Sequence, residues 1–172
     1  MISRDQWLAE AVLAEQADSM VTCRAIIKET MDHGLEIDSF ASNKEKEKLK
    51  KAVWLQNYAS CIDRGAIETA RALLLNGLLL MPQKKALWRK SIELERESGS
   101  VQSLKQLLSL AISNEKSNHE FLFIEYAKVL LKDNSDPDHT TKAVLALENG
   151  LSVYPASEDI AIALQEMLRQ TG

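Results

Sequence analysis

The stretch that decides the fold begins at Trp54 and ends at Trp88, and it reads WLQNYASCIDRGAIETARALLLNGLLLMPQKKALW. The same interval of 34 residues leads from Trp88 to Leu122, so bulky residues return in one register. A second register, four residues further on, holds Tyr58, Ile92 and Tyr126. Self-similarity at a fixed period of about 20–50 residues is typical of stacked repeats. We therefore expect an array of repeated units.

Two further copies of the repeat flank this stretch at longer intervals. An offset of 47 residues places Trp7 at the position of Trp54, and an offset of 39 places Ala143 at that of Leu104. Insertions are tolerated in the connections between units, so we expect an insertion loop at 36–47. The predicted repeats are about 3–35, 48–82, 85–116 and 119–155, followed by a final helix at 158–170.

Each repeat contains two segments with the hydrophobic spacing of amphipathic helices. Leu104, Leu107, Leu108 and Ala111 show the i, i+3, i+4, i+7 pattern. Short connections between such segments make neighbouring helices antiparallel. The predicted helices are 3–16, 20–33, 48–63, 66–80, 85–97, 101–114, 119–132, 139–152 and 158–170. The expected fold is all-α: a right-handed α-α superhelix of about nine antiparallel helices, forming a single domain over 1–172.

The ninth predicted helix has no second helix to complete its repeat. Ile160, Leu164, Met167 and Leu168 give it an apolar face. Terminal units of a repeat array normally carry a polar outer face. The ninth helix is therefore either a capping helix or part of a longer array, and the apolar face favours a segment of a longer array.

The composition fits a folded domain in a reducing compartment. Of the 172 residues, 45% are hydrophobic and 27% are charged, which excludes a low-hydrophobicity disordered tail. The net charge of −4 argues against a surface dedicated to nucleic acid, because phosphate binding depends on clustered Lys and Arg. Cys23 and Cys61 form neither a disulfide framework nor a Cys-x-x-Cys pair, which favours the cytosol or nucleus. The sequence shows no signal peptide and no membrane-spanning stretch.

A set of short motifs recurs in a fixed order. Trp54-x3-Tyr58 is followed by a glycine turn, then by Ala70-Arg71, Gly77-Leu78 and Pro82. This order resembles the HAT (half-a-TPR) repeat, a relative of the tetratricopeptide repeat found in RNA-processing proteins. The resemblance implies a TPR-like, HAT-repeat solenoid and covers nearly the whole chain.

Four other segments narrow the resemblance. They are ISRDQWL at 2–8, TCRAII at 22–27, PQKKALW at 82–88 and YPASE at 154–158. Together they resemble the pre-mRNA-processing factor six family of spliceosomal tri-snRNP components. The resemblance implies a nuclear, non-catalytic protein-protein interaction scaffold that bridges snRNP components during tri-snRNP assembly, with other spliceosomal snRNP proteins as partners. An RNA-contacting HAT module of another RNA-processing complex and a homodimerising structural arm are the alternatives.

The residues that define the repeat are predicted to be structural. Recurring tryptophans could line an aromatic recognition groove, but in stacked repeats they more often pack one unit against the next. We therefore assign the tryptophans to packing and interpret the repeat positions as structural rather than as ligand-binding. They are Trp7, Trp54, Tyr58, Ala70, Pro82, Trp88, Tyr126, Ala143 and Pro155.

Basic residues supply the candidates for partner binding. Arg24, Arg71 and Lys105 recur at one position of the second helix and could form a basic ridge. Ion pairs within the repeats, with Glu15 or Glu95 as acceptors, are the alternative role for these three cations.

The strongest local charge lies in the run KEKEKLKK at 44–51, which has a net charge of +3 and includes Lys46, Lys48 and Lys50. It could contact RNA phosphates or an acidic protein segment, but mixed-sign runs usually form a solvated loop or a frayed helix start. No aromatic residue in the run could stack on a base, which weakens the case for RNA.

Nothing in the sequence points to an enzyme. The segment HEFLF at 119–123 begins like a zinc-protease motif, but Phe123 stands where the second histidine would have to bind the metal. The glycine-rich phosphate-binding motifs are absent from the sequence. We expect no catalytic residue, metal, cofactor, small-molecule substrate or membrane partner.

Overall fold

The computed structural model describes residues 2–117 and 119–171, and over these residues the chain forms nine α-helices and no β-strand. The helices are α1 (Arg4–Gln16), α2 (Met20–Thr30), α3 (Asn43–Asp63), α4 (Ile67–Leu80), α5 (Lys85–Ser98), α6 (Val101–Ser113), α7 (Phe121–Lys132), α8 (His139–Val153) and α9 (Glu158–Thr171). The predicted all-α class is confirmed. Helices that follow one another pack together, for example α1 with α2 and α7 with α8, which is consistent with a helical repeat array.

The helices fall into two compact units, residues 1–91 and residues 92–172, and α5 crosses the division. In the first unit, α1 packs on α2, α3 packs on α4, and both α1 and α2 contact α4. In the second unit, α7 contacts α6, α8 and α9, and α8 also contacts α9. Each unit therefore has its own core of helix pairs.

The start of α3 corrects the sequence prediction. We expected an insertion loop at 36–47 and a helix from residue 48, but the helix begins at Asn43 and the connection from α2 occupies 31–42. The cause is a capping box: the Ser42 hydroxyl accepts from the Glu45 amide (3.3 Å), and the Glu45 carboxylate accepts from the Ser42 amide (2.8 Å). Two free amides at the helix start are thereby satisfied.

The start of α4 is capped from a distance. Its N-cap residue, Ala66, has no side chain that could accept a hydrogen bond. Glu15, in the last turn of α1, supplies the carboxylate instead. One of its oxygens accepts from the Glu68 amide (2.7 Å), and the other accepts from the amide (3.0 Å) and hydroxyl (2.6 Å) of Thr69. An acidic group at this end also complements the helix dipole.

Close helix contact in both units depends on glycine. A Cβ on Gly77 of α4 would lie 2.6 Å from Cδ1 of Trp54 in α3, and a Cβ on Gly150 of α8 would lie 2.9 Å from Cβ of Phe123 in α7. Both distances are below normal van der Waals contact, so the absence of a side chain lets the aromatic residue reach the neighbouring helix backbone.

The apolar face of α9 is used within its own unit. Ile160 and Met167 are buried in a cluster with residues of α7 and α8, and Leu164 is packed against the same cluster. Of the four residues of the predicted apolar face, Leu168 alone is not part of this cluster, and its side chain is 49% exposed. Most of the predicted apolar face is therefore covered within the second unit.

None of the helices that the structure describes is long and apolar enough to cross a lipid bilayer.

Candidate interaction surfaces

Trp54 is enclosed on several sides in the first unit. Its side chain is fully buried, and its indole Nε1 donates to the Leu73 carbonyl (3.2 Å). The Arg4 guanidinium and the Lys50 ammonium lie over its ring, at 5.1 and 5.6 Å from the centroid. Gly77 closes the ring edge. The ring is therefore occupied by the protein's own groups.

The other repeat positions lie at different depths. Trp88 is buried, and its Nε1 donates to the carbonyl of Pro82 (2.7 Å), which is itself buried. The core also contains Tyr58, Ala70 and Ala143, whereas Trp7 and Tyr126 are half-buried and Pro155 is exposed. Burial of Trp54 and Trp88 leaves these two indoles no surface for stacking on a ligand.

The three recurring basic positions have different environments. Arg71 forms an ion pair with Glu68 one turn earlier in α4. Lys105 of α6 pairs with Asp133, which follows α7, at 2.6 Å. The hydrogen bond that Lys105 donates to Asp133, followed by those that Ser135 donates, holds the pKa of Asp133 well below its usual range. Arg24 is exposed on α2. The residues Glu68 and Asp133 were not among the acceptors named from the sequence.

The lysine run lies on the N-terminal part of α3 and divides into two sets. Lys50 pairs with Asp32 and covers Trp54, while Lys46 donates to the Ser39 carbonyl (3.4 Å). These two lysines connect the N-terminal part of α3 to the segment 31–42.

The remaining three lysines form what we call the lysine face: Lys44, Lys48 and Lys51. Their i, i+4, i+7 spacing places them on one side of α3. Within the described part of the chain, no carboxylate lies at ion-pair distance from any of them. The face is therefore a strip of three lysines without an ion-pair partner in the described residues.

The two cysteines are free thiols in buried surroundings. Both cysteines are buried, and burial raises the pKa of both thiols, that of Cys61 to about 11. A thiol with a raised pKa is a poor nucleophile at neutral pH because little thiolate forms. Among residues 2–117 and 119–171 there is also no group of three or more His, Cys, Asp or Glu side chains that could hold a metal ion.

The capping role of Glu15 was missed in the sequence, where it was considered as an acceptor for a basic residue. Its hydrogen bonds to Glu68 and Thr69 join residues that are 53 and 54 positions apart. The absence of Ser, Thr, Asp or Asn just before α4 was the available signal, since such residues normally cap helices.

The chain is similar in sequence to known splicing factors. The chain is 33% identical over 115 residues to "Pre-mRNA-splicing factor prp1" of Schizosaccharomyces pombe, which is 66% of this chain and 12% of that protein. It is 30% identical over 90 residues to "Pre-mRNA-processing factor 6" of Homo sapiens, covering 52% of this chain and 8% of that protein. The corresponding protein of Pongo abelii is 31% identical over 85 residues. No protein-family model matches the chain.

The chain shows distant, partial homology to splicing factors. The resemblance predicted from the motifs is confirmed at this level. The matched segment spans about an eighth or less of the length of these relatives.

Proposed function

We propose that the chain is a non-catalytic protein-protein interaction scaffold in pre-mRNA splicing. The observation that carries this proposal is the similarity to pre-mRNA-splicing factor prp1 over 115 residues of a helical repeat array. Repeat arrays present extended surfaces that suit peptides and partner helices. In its finer form, the proposal is a nuclear protein that bridges snRNP components during tri-snRNP assembly and binds other spliceosomal snRNP proteins.

Exposed apolar residues support a protein partner. Leu75 and Leu79 are separated by one turn of α4 and are 42% and 80% exposed, and the adjacent Leu80 is 39% exposed. Residues four apart lie side by side on a helix surface. Contiguous exposed apolar surface is typical of interaction sites, whereas single exposed residues are ordinary.

Capture from nuclear extract tests the proposal. The tagged chain is incubated with nuclear extract treated with RNase, and the retained proteins are identified by mass spectrometry. We expect snRNP proteins to be retained, and to be reduced by the double change Leu75→Gln and Leu79→Gln. The matched control changes Leu13→Gln and Leu110→Gln, which are 55% and 54% exposed on other helices. Retention of no splicing protein in treated or untreated extract would contradict the proposal.

An RNA-contacting module is the second candidate, because the lysine face carries three charges without carboxylate partners. If it binds RNA, affinity should fall steeply with salt, and each lysine removed should flatten the logarithmic slope by about one unit or slightly less. The test variant changes all three lysines to Gln. The control changes three exposed cations elsewhere, Lys28, Lys116 and Arg169, to Gln. RNA binding at physiological salt that only the first variant loses would favour this candidate over the protein scaffold.

A further inference from the structure

A groove of about 420 Å³ lies within the second unit. The last turn of α5, the turn at Gly99 and Ser100, and the first turn of α6 form one side, and α7 forms the other. Its size falls in the range of about 300–1,000 Å³ that is usual for ligand sites.

The base of the groove is aliphatic. Leu104 and Val129 are buried there at 6% and 5% exposure, and Val101 stands above them at 44% exposure. An aliphatic side chain placed in the groove would remove further apolar surface of Val101 from water, which is favourable. The lining contains no aromatic residue on which a nucleic acid base could stack.

The rim of the groove carries more positive than negative charge. Arg96 and Lys128 are 54% and 60% exposed, and both pair with the same carboxylate, that of Glu125. Lys132 lies on the same face of α7 and has no carboxylate at ion-pair distance among the described residues. The other acidic residue, Glu95, is buried and accepts a hydrogen bond from the Ser103 hydroxyl (2.7 Å). Two exposed cations therefore share one carboxylate, and a third has no ion-pair partner in the described structure.

We propose that this groove binds an acidic segment of a partner protein, with one aliphatic side chain on the base and carboxylates facing Lys132 and the Arg96–Lys128 pair. This inference rests on the proposed role in protein binding and specifies the chemistry of one partner. Charge complementarity favours an acidic segment, and the aliphatic base favours a peptide over a nucleic acid. The first turn of α6 adds the partial positive charge of a helix N-terminus to the same rim.

The test uses the whole chain and defined peptides. The probe is a fluorescein-labelled peptide in which leucine is flanked on both sides by glutamates, and two comparison peptides replace the glutamates by glutamine or the leucine by alanine. We expect the first probe to bind with an affinity that falls as salt rises, because exposed charges are screened. The affinity of each comparison peptide should be lower than that of the first probe by a factor of about ten or more.

Matched variants locate the binding site. The test variant carries Val101→Asp and Lys132→Glu. It should fold because both side chains are exposed, and because an acid is favourable in the first turn of α6 and only modestly unfavourable in the last turn of α7. The control carries Leu110→Asp and Lys116→Glu, which make the same changes outside the groove. We expect about a tenfold or greater loss of peptide affinity in the first variant and none in the control. Equal loss in both variants, or a probe that binds only when its glutamates are removed, would overturn the inference.

A third readout separates this inference from the proposed function. If the parent chain retains splicing proteins from extract but the acidic probe does not shift the NMR signals of Val101, Leu104 and Val129, the groove assignment is wrong and the scaffold proposal stands. If the probe shifts these signals while no splicing protein is retained, the groove assignment stands and the scaffold proposal is wrong. A single-stranded RNA oligonucleotide that displaces the probe from the groove would also overturn the peptide assignment.

Discussion

The helix pairs α3–α4 and α7–α8 fall at positions that the sequence repeat predicts to be equivalent, but they pack with different residues. In α3–α4, the indole of Trp54 lies against Gly77. In α7–α8, Leu122 stands in the tryptophan register, and the next residue, Phe123, covers Gly150 instead. Both pairs thus place an aromatic side chain on a glycine of the second helix. In both pairs a bulky aromatic side chain packs against the backbone of a glycine. Trp54 fills this role in the first pair, and Phe123 fills it in the second.

Removal of the aromatic residue should have the largest effect in either pair. Trp54→Ala and Phe123→Ala should each lower the free energy of unfolding by about 3–5 kcal/mol, because each leaves a cavity in a packed core. Trp88→Ala should fall in the same range. Urea denaturation followed by circular dichroism measures the loss. Phe40→Ala is the control, since Phe40 is 95% exposed. A loss for Trp54 alone would show that Phe123 does not play the equivalent part.

A tryptophan at the corresponding position of the second pair, residue 122, should lower the stability of the fold. Leu122 is 1% exposed beside Phe123, so Leu122→Trp adds volume to a filled core. We expect a loss of about 1–3 kcal/mol, which is typical of overpacking. Thermal unfolding of this variant and of Leu122→Met, which keeps the volume nearly constant, provides the measurement. An increase in melting temperature for Leu122→Trp would mean that the core beside Phe123 has room for the indole.

The two glycines should respond to alanine in the order of their distances. Overpacking at Gly77 costs about 1–3 kcal/mol, while the better helix propensity of alanine returns about 1 kcal/mol. A net loss of up to about 2 kcal/mol is expected there, and a smaller one at Gly150, where the contact is longer. The double variant Gly77→Ala, Trp54→Leu should lose less free energy of unfolding than the sum of the two single variants, because the smaller side chain at position 54 makes room for the methyl group. Strictly additive changes in the free energy of unfolding would show that the two residues are not coupled.

Each unit contains an ion pair formed by one of the recurring basic residues. Arg71 pairs with Glu68 of its own helix, and Lys105 joins α6 to the end of α7 through Asp133. Because the folded pKa of Asp133 lies below its usual value of 3.8, this pair stabilises the fold above pH 3.8 and loses its effect as pH falls further. Asp133→Asn should therefore be less stable than the parent at neutral pH, with a difference that shrinks in acid.

Denaturation midpoints measured between neutral and acidic pH test this expectation. Glu166→Gln, which removes an exposed carboxylate from the same unit, is the control and should follow the parent curve. A constant difference between Asp133→Asn and the parent across the whole pH range would exclude the ionised pair as its source.

The smallest changes in stability should come from substitutions in the N-terminal part of α3. This helix has 21 residues, whereas α7 has 12. Changing Lys44, Lys48 and Lys51 to Gln should alter the free energy of unfolding by no more than a few tenths of a kcal/mol per site, as exposed unpaired charges do. Lys50→Gln should cost more, about 0.5–1 kcal/mol, because Lys50 lies over Trp54. Equal effects at Lys48 and Lys50 in chemical denaturation would remove the distinction between the two sets of lysines.

Periodicity in the sequence was sufficient to place the helices, since most predicted boundaries lie within two residues of those in the structure. It failed at α3 because residues 43–47 carry no apolar stripe, and the helix there depends on the Ser42 cap and on tertiary pairs such as Lys84 with Glu47 (3.0 Å). The signal Ser-x-x-Glu at 42–45 was present and would have predicted the earlier start.

The candidate surfaces were less accessible to sequence reasoning. Periodicity identifies which face of a helix is apolar, but not which groups from other helices meet at its ends. The pairing of Lys105 with Asp133 and the groove between α6 and α7 both depend on the docking of two helices. The lysine run was recognised from its charge alone, whereas its division into anchored and free lysines required the position of Trp54.

The carboxylate of Glu15 links the beginning of one helix to the presence of another. The first turn of α4 lacks a cap of its own and takes its acceptors from α1, which lies more than 50 positions earlier. Losing α1 by local opening would free the amides of Glu68 and Thr69, so α4 should fray from its start whenever α1 detaches. Repeat arrays often behave as chains of nearest-neighbour units that can open one at a time. Here the first two helix pairs instead share a hydrogen-bonding group, and they should open as one cooperative unit.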